Sequence, residues 1–321
     1  MPANPAYRPI DAMVFPRFSG IRTFMRLPHL ADLTDKGIDF AIVGVPFDTG
    51  GTYRVGARFG PEGIRSQSML LRPYNPALSI GIFDVCSGVD YGDLSVIPGY
   101  LPESHANIEA GASEVYASGA TPVFLGGDHS VSLPLLRATA KKFGPVALIH
   151  FDSHSDLWHG YFGGKDTHGT PFRRAYEEGL LDTSRSIQVG LRGSVYDEAD
   201  VTMPTDFGFE AISAPELHDM GMKEAVRRIR ARVGSSIAYC TFDIDFVDPA
   251  YAPATGTPEV GGFTGAQSLE LVRGLAGLDI KGFDVVEVMP PYDPPGSVTS
   301  LLAAGIVYEF ISLIALQKRG K

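Results

Sequence analysis

The sequence predicts an α/β fold: a three-layer α/β/α sandwich with a central, mostly parallel sheet. Two observations predict it. Short apolar runs alternate with segments of helical spacing along most of the chain. Each run is nearly continuously apolar, as in strands buried on both faces. Strands and helices in alternation place helices on both sides of a parallel sheet.

The elements follow in order. Residues 1–37 are Pro-rich and irregular. Candidate strands run from Phe40 to Val45, Pro122 to Leu125, Val146 to Phe151, Ile187 to Leu191, Ile237 to Phe242 and Phe283 to Val288. Helical spacing covers Ala106 to Ala117, Leu133 to Phe143, Lys223 to Val233 and Ser268 to Leu275. Ser300 to Leu316 reads as a helix that is mostly buried. Pro and Gly collect in two long connections, Asp48 to Gly63 and Asp248 to Gly262, and long ordered loops are often functional. No repeat or charged linker divides the chain, so one domain is expected over residues 1–321, with 1–37 as an irregular N-terminal segment.

Composition narrows the function. The chain has 321 residues, 44% of them hydrophobic, enough for a large core. Its formal net charge is −10 and no basic stripe is present, which argues against nucleic acid as a partner. The acidic balance serves solubility, and bound divalent cations would offset part of it. Cys86 and Cys240 are far apart and lack CxxC spacing, so no disulfide framework is expected and a reducing compartment is the default. Met1 to Pro5 shows no targeting pattern. No apolar stretch approaches the roughly 20 residues needed to cross a bilayer. A soluble cytoplasmic protein without a membrane partner follows by default. Neither G-x-G-x-x-G after a strand nor a Walker A sequence is present, so nucleotide binding is not expected.

Three clusters carry the chemistry. His150-Phe151-Asp152-Ser153-His154-Ser155-Asp156 ends a buried-type run. Alternate residues of a strand share a face, so His150, Asp152 and His154 point one way, and Asp156 joins them if the chain bends. Asp243 and Asp245 end another run two residues apart. Side-by-side carboxylates repel unless a cation or a shared proton intervenes. Gly126-Gly127-Asp128-His129-Ser130 follows a third run, with Asp128 or Ser130 placed to cap the next helix. Asp248, just before Pro249, reads as a turn residue. Ligands of open α/β sheets bind at the C-terminal strand edge. Two imidazoles and four carboxylates suit two divalent ions such as Mn²⁺, with Ni²⁺, Co²⁺ or Zn²⁺ as alternatives. Such a pair, about 3.5–4 Å apart, can share one water and make it hydroxide at neutral pH.

These three clusters resemble the signatures of the arginase/agmatinase (ureohydrolase) family. Pro253 to Gly262, Glu287-Val288-Met289-Pro290-Pro291, Gly44 to Asp48 and Gly56 to Pro61 strengthen the match, from about residue 15 to the C-terminus. The resemblance implies an arginase-like fold and a binuclear hydrolase that cleaves a guanidino compound to urea and an amine by attack of a metal-bridging hydroxide. It implies His129, Asp152, His154, Asp156, Asp243 and Asp245 as metal ligands, with two Mn²⁺ expected and Ni²⁺ or Co²⁺ as alternatives. His168 resembles the family's proton-shuttling histidine, and Glu287 the carboxylate that holds the guanidinium. Family members imply a homo-oligomer, trimer or hexamer.

Within the family the chain looks closest to bacterial guanidinopropionase and guanidinobutyrase, through 23–28, 168–174 and 190–196. A guanidino acid such as 3-guanidinopropionate or 4-guanidinobutyrate is therefore the expected substrate. Agmatine, an alkylguanidine or a biguanide comes next. A formiminoglutamate-type hydrolase and a non-catalytic subunit of a mixed oligomer are the readings of another class. The chain departs from the usual pattern at Ser153, Ala254 and Met289, and most of all at Leu157 to Tyr161. That stretch follows the last ligand, so Trp158 and Tyr161 are candidate substrate contacts, while His159 reads as a loop residue. Arg173 and Arg174 read as a helix surface.

Overall fold

A computed structural model describes residues 6–320. The segment read above for targeting signals, residues 1–5, lies outside the described residues. Eight strands form one sheet: β1 (Phe40–Gly44), β2 (Gly88–Asp93), β3 (Thr121–Leu125), β4 (Ala147–Phe151), β5 (Ile187–Leu191), β6 (Glu210–Ser213), β7 (Ala238–Asp243) and β8 (Ile280–Val286). Their spatial order is β2-β1-β3-β8-β7-β4-β5-β6, and every neighbouring pair is parallel.

The strands are buried on both faces, as their apolar runs predict. Phe40, Ile42, Ile149, Phe151, Phe283 and Val285 belong to one core. Ala41, Val43, Leu148, Tyr239 and Val286 belong to the other. Helices Ala214–Val233, Gly265–Gly274 and Val298–Arg319 cover the first face, and Leu101–Ala117 with Ser132–Phe143 cover the second. This is the three-layer arrangement expected from sequence.

Two strands escape the sequence pattern. Both β2 and β6 are sheet edges. Their sequences, GVDYGD and EAIS, mix polar and apolar residues, because an edge strand needs no continuous apolar run. The C-terminal helix corrects another expectation. Val298–Arg319 is long and apolar enough, by length and composition, to cross a membrane, yet 72% of its apolar window is buried inside the protein. Glu309 in its middle is buried against Arg273 and Asn75. Cys86 and Cys240 are free and buried, as small core residues.

Candidate metal centre and active site

The register brings four adjacent strands to one level at their C-terminal ends. Val285 of β8 lies between Leu125 of β3 and Phe242 of β7, and Phe242 pairs with Phe151 of β4. The three acidic clusters and Glu287 leave the sheet just beyond this line. After β3 the chain turns through Gly126 and Gly127. A Cβ on Gly127 would lie 1.7 Å from the Phe47 carbonyl oxygen, so only glycine lets the loop after β1 cross here. Asp128 then caps a single turn, His129–Val131, by accepting the Ser130 N–H, as expected.

The six expected ligands come together in two sets that share Asp152. His129 Nδ1 faces Asp152 Oδ2 at 3.0 Å, Asp156 Oδ2 at 2.9 Å and Asp243 Oδ2 at 3.2 Å. A ring nitrogen carries at most one hydrogen and cannot serve three carboxylates. Neighbouring ligands of an octahedral ion with bonds of about 2.1 Å sit about 3.0 Å apart, so this spacing fits a cation better than hydrogen bonds. In the second set, His154 Nδ1 lies 3.5 Å from Asp152 Oδ1 and 3.1 Å from Asp245 Oδ2. Asp245 Oδ2 and His129 Nδ1 are buried without a hydrogen-bond partner. No Lys or Arg makes an ion pair with Asp152, Asp156, Asp243 or Asp245 among the described residues. The nearby Arg192 instead donates to the carbonyls of Asp245 and Glu259.

The electrostatics match that geometry. Burial, then the charges of Asp245 and Asp152, push Asp243 well above the usual carboxylate range. Burial and Asp152 raise Asp245 as well. Burial opposes ionisation of Asp152 too, but His150, His129 and His154 hold it well below the usual range. Asp156 and Glu287 adopt φ of +53° and +62°, a left-handed conformation that costs a non-glycine residue energy and concentrates at functional sites.

His168 and Glu287 meet beside the cage. His168 Nδ1 is 3.0 Å from Glu287 Oε1, and its Nε2 is 2.7 Å from Thr52 Oγ1. Burial works against charging His168, yet the Glu287 carboxylate outweighs it and raises the imidazole to about 9. Glu287 Oε1 also accepts the His129 N–H, while Oε2 is buried without a partner. A Cβ on Gly256 would sit 3.0 Å from that free oxygen, so the glycine leaves space beside it. Burial and Glu287 raise Asp128 to about 7, and Asp128 holds the loop after β1 through the Gly50 N–H.

A cleft of about 410 Å³ opens over these groups. Its lining includes His154, Asp156, His168 and Asp243 together with Trp158 and Tyr161. Trp158 and Tyr161 stand 5.9 Å apart between ring centroids, and Tyr196 lies 6.1 Å from Trp158. Trp158 Nε1 is buried without a partner. His159 is exposed, in keeping with a loop residue. Asp248 accepts the N–H groups of Ala250, Gly261 and Gly262, as a turn residue does. Arg173 and Arg174 lie on helix Pro171–Glu177, but Arg174 is buried, which corrects its reading as surface.

Sequence reasoning did not find Thr52, Tyr196, Thr241 or Gln188. Thr241 Oγ1 lies 2.9 Å from His129 Nε2, and Thr52 orients His168. Each comes from a different part of the chain, with no signal except position in a strand or a long loop. Ser153 has a plain function here: its Oγ donates to Asp245 Oδ1 at 2.6 Å.

Comparison with known proteins agrees with this architecture. Residues 38–312 match the arginase family. The chain is 44% identical to a guanidinobutyrase of Pseudomonas aeruginosa, over 96% of this chain and 97% of that protein. It is also 44% identical to a guanidinopropionase of the same organism, over 98% of each. Among solved structures, proclavaminate amidino hydrolase from Streptomyces clavuligerus superposes with a TM-score of 0.89 at 38% identity, covering 94% of this chain and 99% of that one. The chain belongs to the arginase family.

Proposed function

We propose that this protein is a binuclear-metal hydrolase that cleaves a small guanidino compound to urea and an amine. The observation that carries the proposal is His129 Nδ1 facing three carboxylate oxygens with no cationic side chain among them. His129, Asp152, Asp156 and Asp243 would hold one ion. His154, Asp152 and Asp245 would hold the other. Mn²⁺ is the proposed metal, with Ni²⁺ and Co²⁺ as alternatives. A divalent pair supplies a nucleophile from water near neutral pH.

The chain's own residues do the rest. Glu287 Oε2, the oxygen left without a partner, accepts from a guanidinium N–H in a charge-assisted bond. His168 delivers a proton to the departing amine, and Thr52 and Glu287 orient its ring. Trp158 and Tyr161 close the cleft over the substrate and exclude water. The substrate is a guanidino acid such as 3-guanidinopropionate or 4-guanidinobutyrate. Both the Pseudomonas relatives and Arg54, the one Lys or Arg among the described residues lining the cleft, support an acidic tail. The chain acts as one ureohydrolase domain, in a cytoplasmic homo-oligomer of three or six copies. Exposed Met13, Phe18 and Ile21 support an assembly that covers them.

A urea-release screen of the purified, Mn²⁺- or Ni²⁺-loaded chain tests this. Guanidino acids should release urea fastest, ahead of agmatine, arginine, alkylguanidines and biguanides. Formamide from formiminoglutamate with no urea from any guanidine would overturn the reaction. Activity only with a second, different chain would overturn the homo-oligomer.

A further inference from the structure

His150 is fully buried just ahead of the proposed ligands. Its Nε2 is 2.7 Å from Asp152 Oδ2, and its ring centroid is 5.2 Å from that of His129. By proximity it groups with His129, Asp152 and Asp156 as a set that could hold an ion. The other ring nitrogen decides between ligand and donor.

Gln188 stands directly across from His150 on the neighbouring strand. Its Nε2 is 2.7 Å from the Ser155 carbonyl oxygen and 2.9 Å from His150 Nδ1. A carbonyl only accepts, so the amide nitrogen and not the amide oxygen must face Ser155. The second amide hydrogen then points at His150 Nδ1, which has to offer a lone pair. In a neutral imidazole the proton therefore sits on Nε2, aimed at Asp152. An Nε2 that bound metal would need its own lone pair and would move the proton to Nδ1. That would set an N–H against the N–H of Gln188. The ring of Phe172, 4.4 Å away, packs against the imidazole.

We infer that His150 is a positioning residue, its Nε2–H donor aimed at Asp152 and its Nδ1 turned to the Gln188 amide, and that Gln188 keeps it out of the coordination sphere. This rests on the binuclear reading above. Asp152 is the carboxylate whose two oxygens face different imidazoles, His129 and His154. A hydrogen bond to Oδ2 from His150, with one to Oδ1 from the His154 N–H, fixes the rotation of the carboxylate plane. Both halves of the cage are set by that rotation. The lock also accounts for Gln188 itself. It is fully buried and its Oε1 has no partner, a cost that an apolar residue would avoid.

The test is Mn²⁺ binding to the chelator-stripped full chain by isothermal titration calorimetry. The variants are His150→Phe, His150→Gln and Gln188→Met. His150→Phe should keep two ions per chain but bind them about 10–100-fold more weakly. His150→Gln, whose amide N–H can reach the same oxygen, should recover most of that loss. Gln188→Met should weaken binding by a smaller factor. Wild-type affinity in His150→Phe would overturn the inference. So would the loss of one ion per chain in both His150 variants, since His150 would then be a ligand. If His150→Phe does not fold, wild-type affinity in Gln188→Met overturns the lock in its place. A wild-type chain that binds neither Mn²⁺ nor Ni²⁺ defeats the binuclear reading itself, a result distinct from all of these.

Discussion

Two groups of buried carboxylates in this molecule are stabilised in opposite ways. Asp90, on edge strand β2, has its counter-charge built in. Arg65 Nε donates to its Oδ2 and Nη2 to its Oδ1, both at 2.9 Å, and the Phe24 and Gly92 N–H groups complete its bonding. Arg65 reaches Asp93 as well. The carboxylates beyond β4 and β7 are as deeply buried, yet among the described residues no guanidinium or ammonium pairs with them. Buried charge is tolerated only when it is paired or coordinated. The first group is therefore complete within the chain, whereas the second calls for cations from outside.

Substitutions should separate the two groups. The largest expected effect is on catalysis. Asp243→Asn and His154→Ala should lose bound metal and urea release together, by more than the roughly 10–100-fold that removing a ligand's hydrogen-bond partner costs. Metal analysis alongside a urea assay checks this, and full activity without metal would refute the cage. The metal-free Asp243→Asn protein should also melt at or above wild type, because the change relieves repulsion. Asp90→Asn should melt lower, because Arg65 loses the charge of its buried partner and keeps only the half-exposed Asp93 and the Gly92 carbonyl. Equal shifts in the two variants would break the comparison.

His168→Ala comes next. It should keep both ions and lose about 10²–10⁴-fold in turnover, read from kcat at saturating metal. The same variant gives a pH signature. Because His168 is raised to about 9 in the fold, its pairing with Glu287 stabilises the metal-free protein fully below pH about 6.5. That stability is lost as pH rises through 9. The melting difference between wild type and His168→Ala should therefore shrink from pH 6 to pH 9.5. A constant difference would refute the charged pair.

Arg65→Ala should cost about 3–5 kcal/mol of stability, since it leaves Asp90 buried and unpaired. The folded fraction should keep its metal and its specific activity, measured by denaturant titration and urea release. The smallest effect belongs to Ser153→Ala. Asp245 Oδ1 would lose the hydroxyl but keep the Ser153 N–H at 3.0 Å. A loss of about 1 kcal/mol is expected, with at most a modest change in Mn²⁺ affinity.

Much of this was legible in sequence. Six interior strands announce themselves as nearly continuous apolar runs, because a strand buried on both faces has room for few polar side chains. Their bounds shift by only a residue or a few. The edge strands β2 and β6 carry no such run and were invisible. The cage residues were legible because they lie two residues apart in one strand or loop, as Asp152, His154 and Asp156 do. His168 and Glu287 stood out only through the family resemblance.

What the sequence determined by itself is the set of candidate ligating side chains and the strand ends that carry them, because local spacing fixes which side chains share a face. What only the tertiary structure decided is which atoms meet across strands. The shared position of Asp152, the support of His168 by Thr52, and the use of Arg65 rather than a metal ion at Asp90 all join residues far apart in the chain. So does the Gln188 amide that turns His150 into a donor. Strand order and register set those contacts, and neither is written in any local stretch of residues.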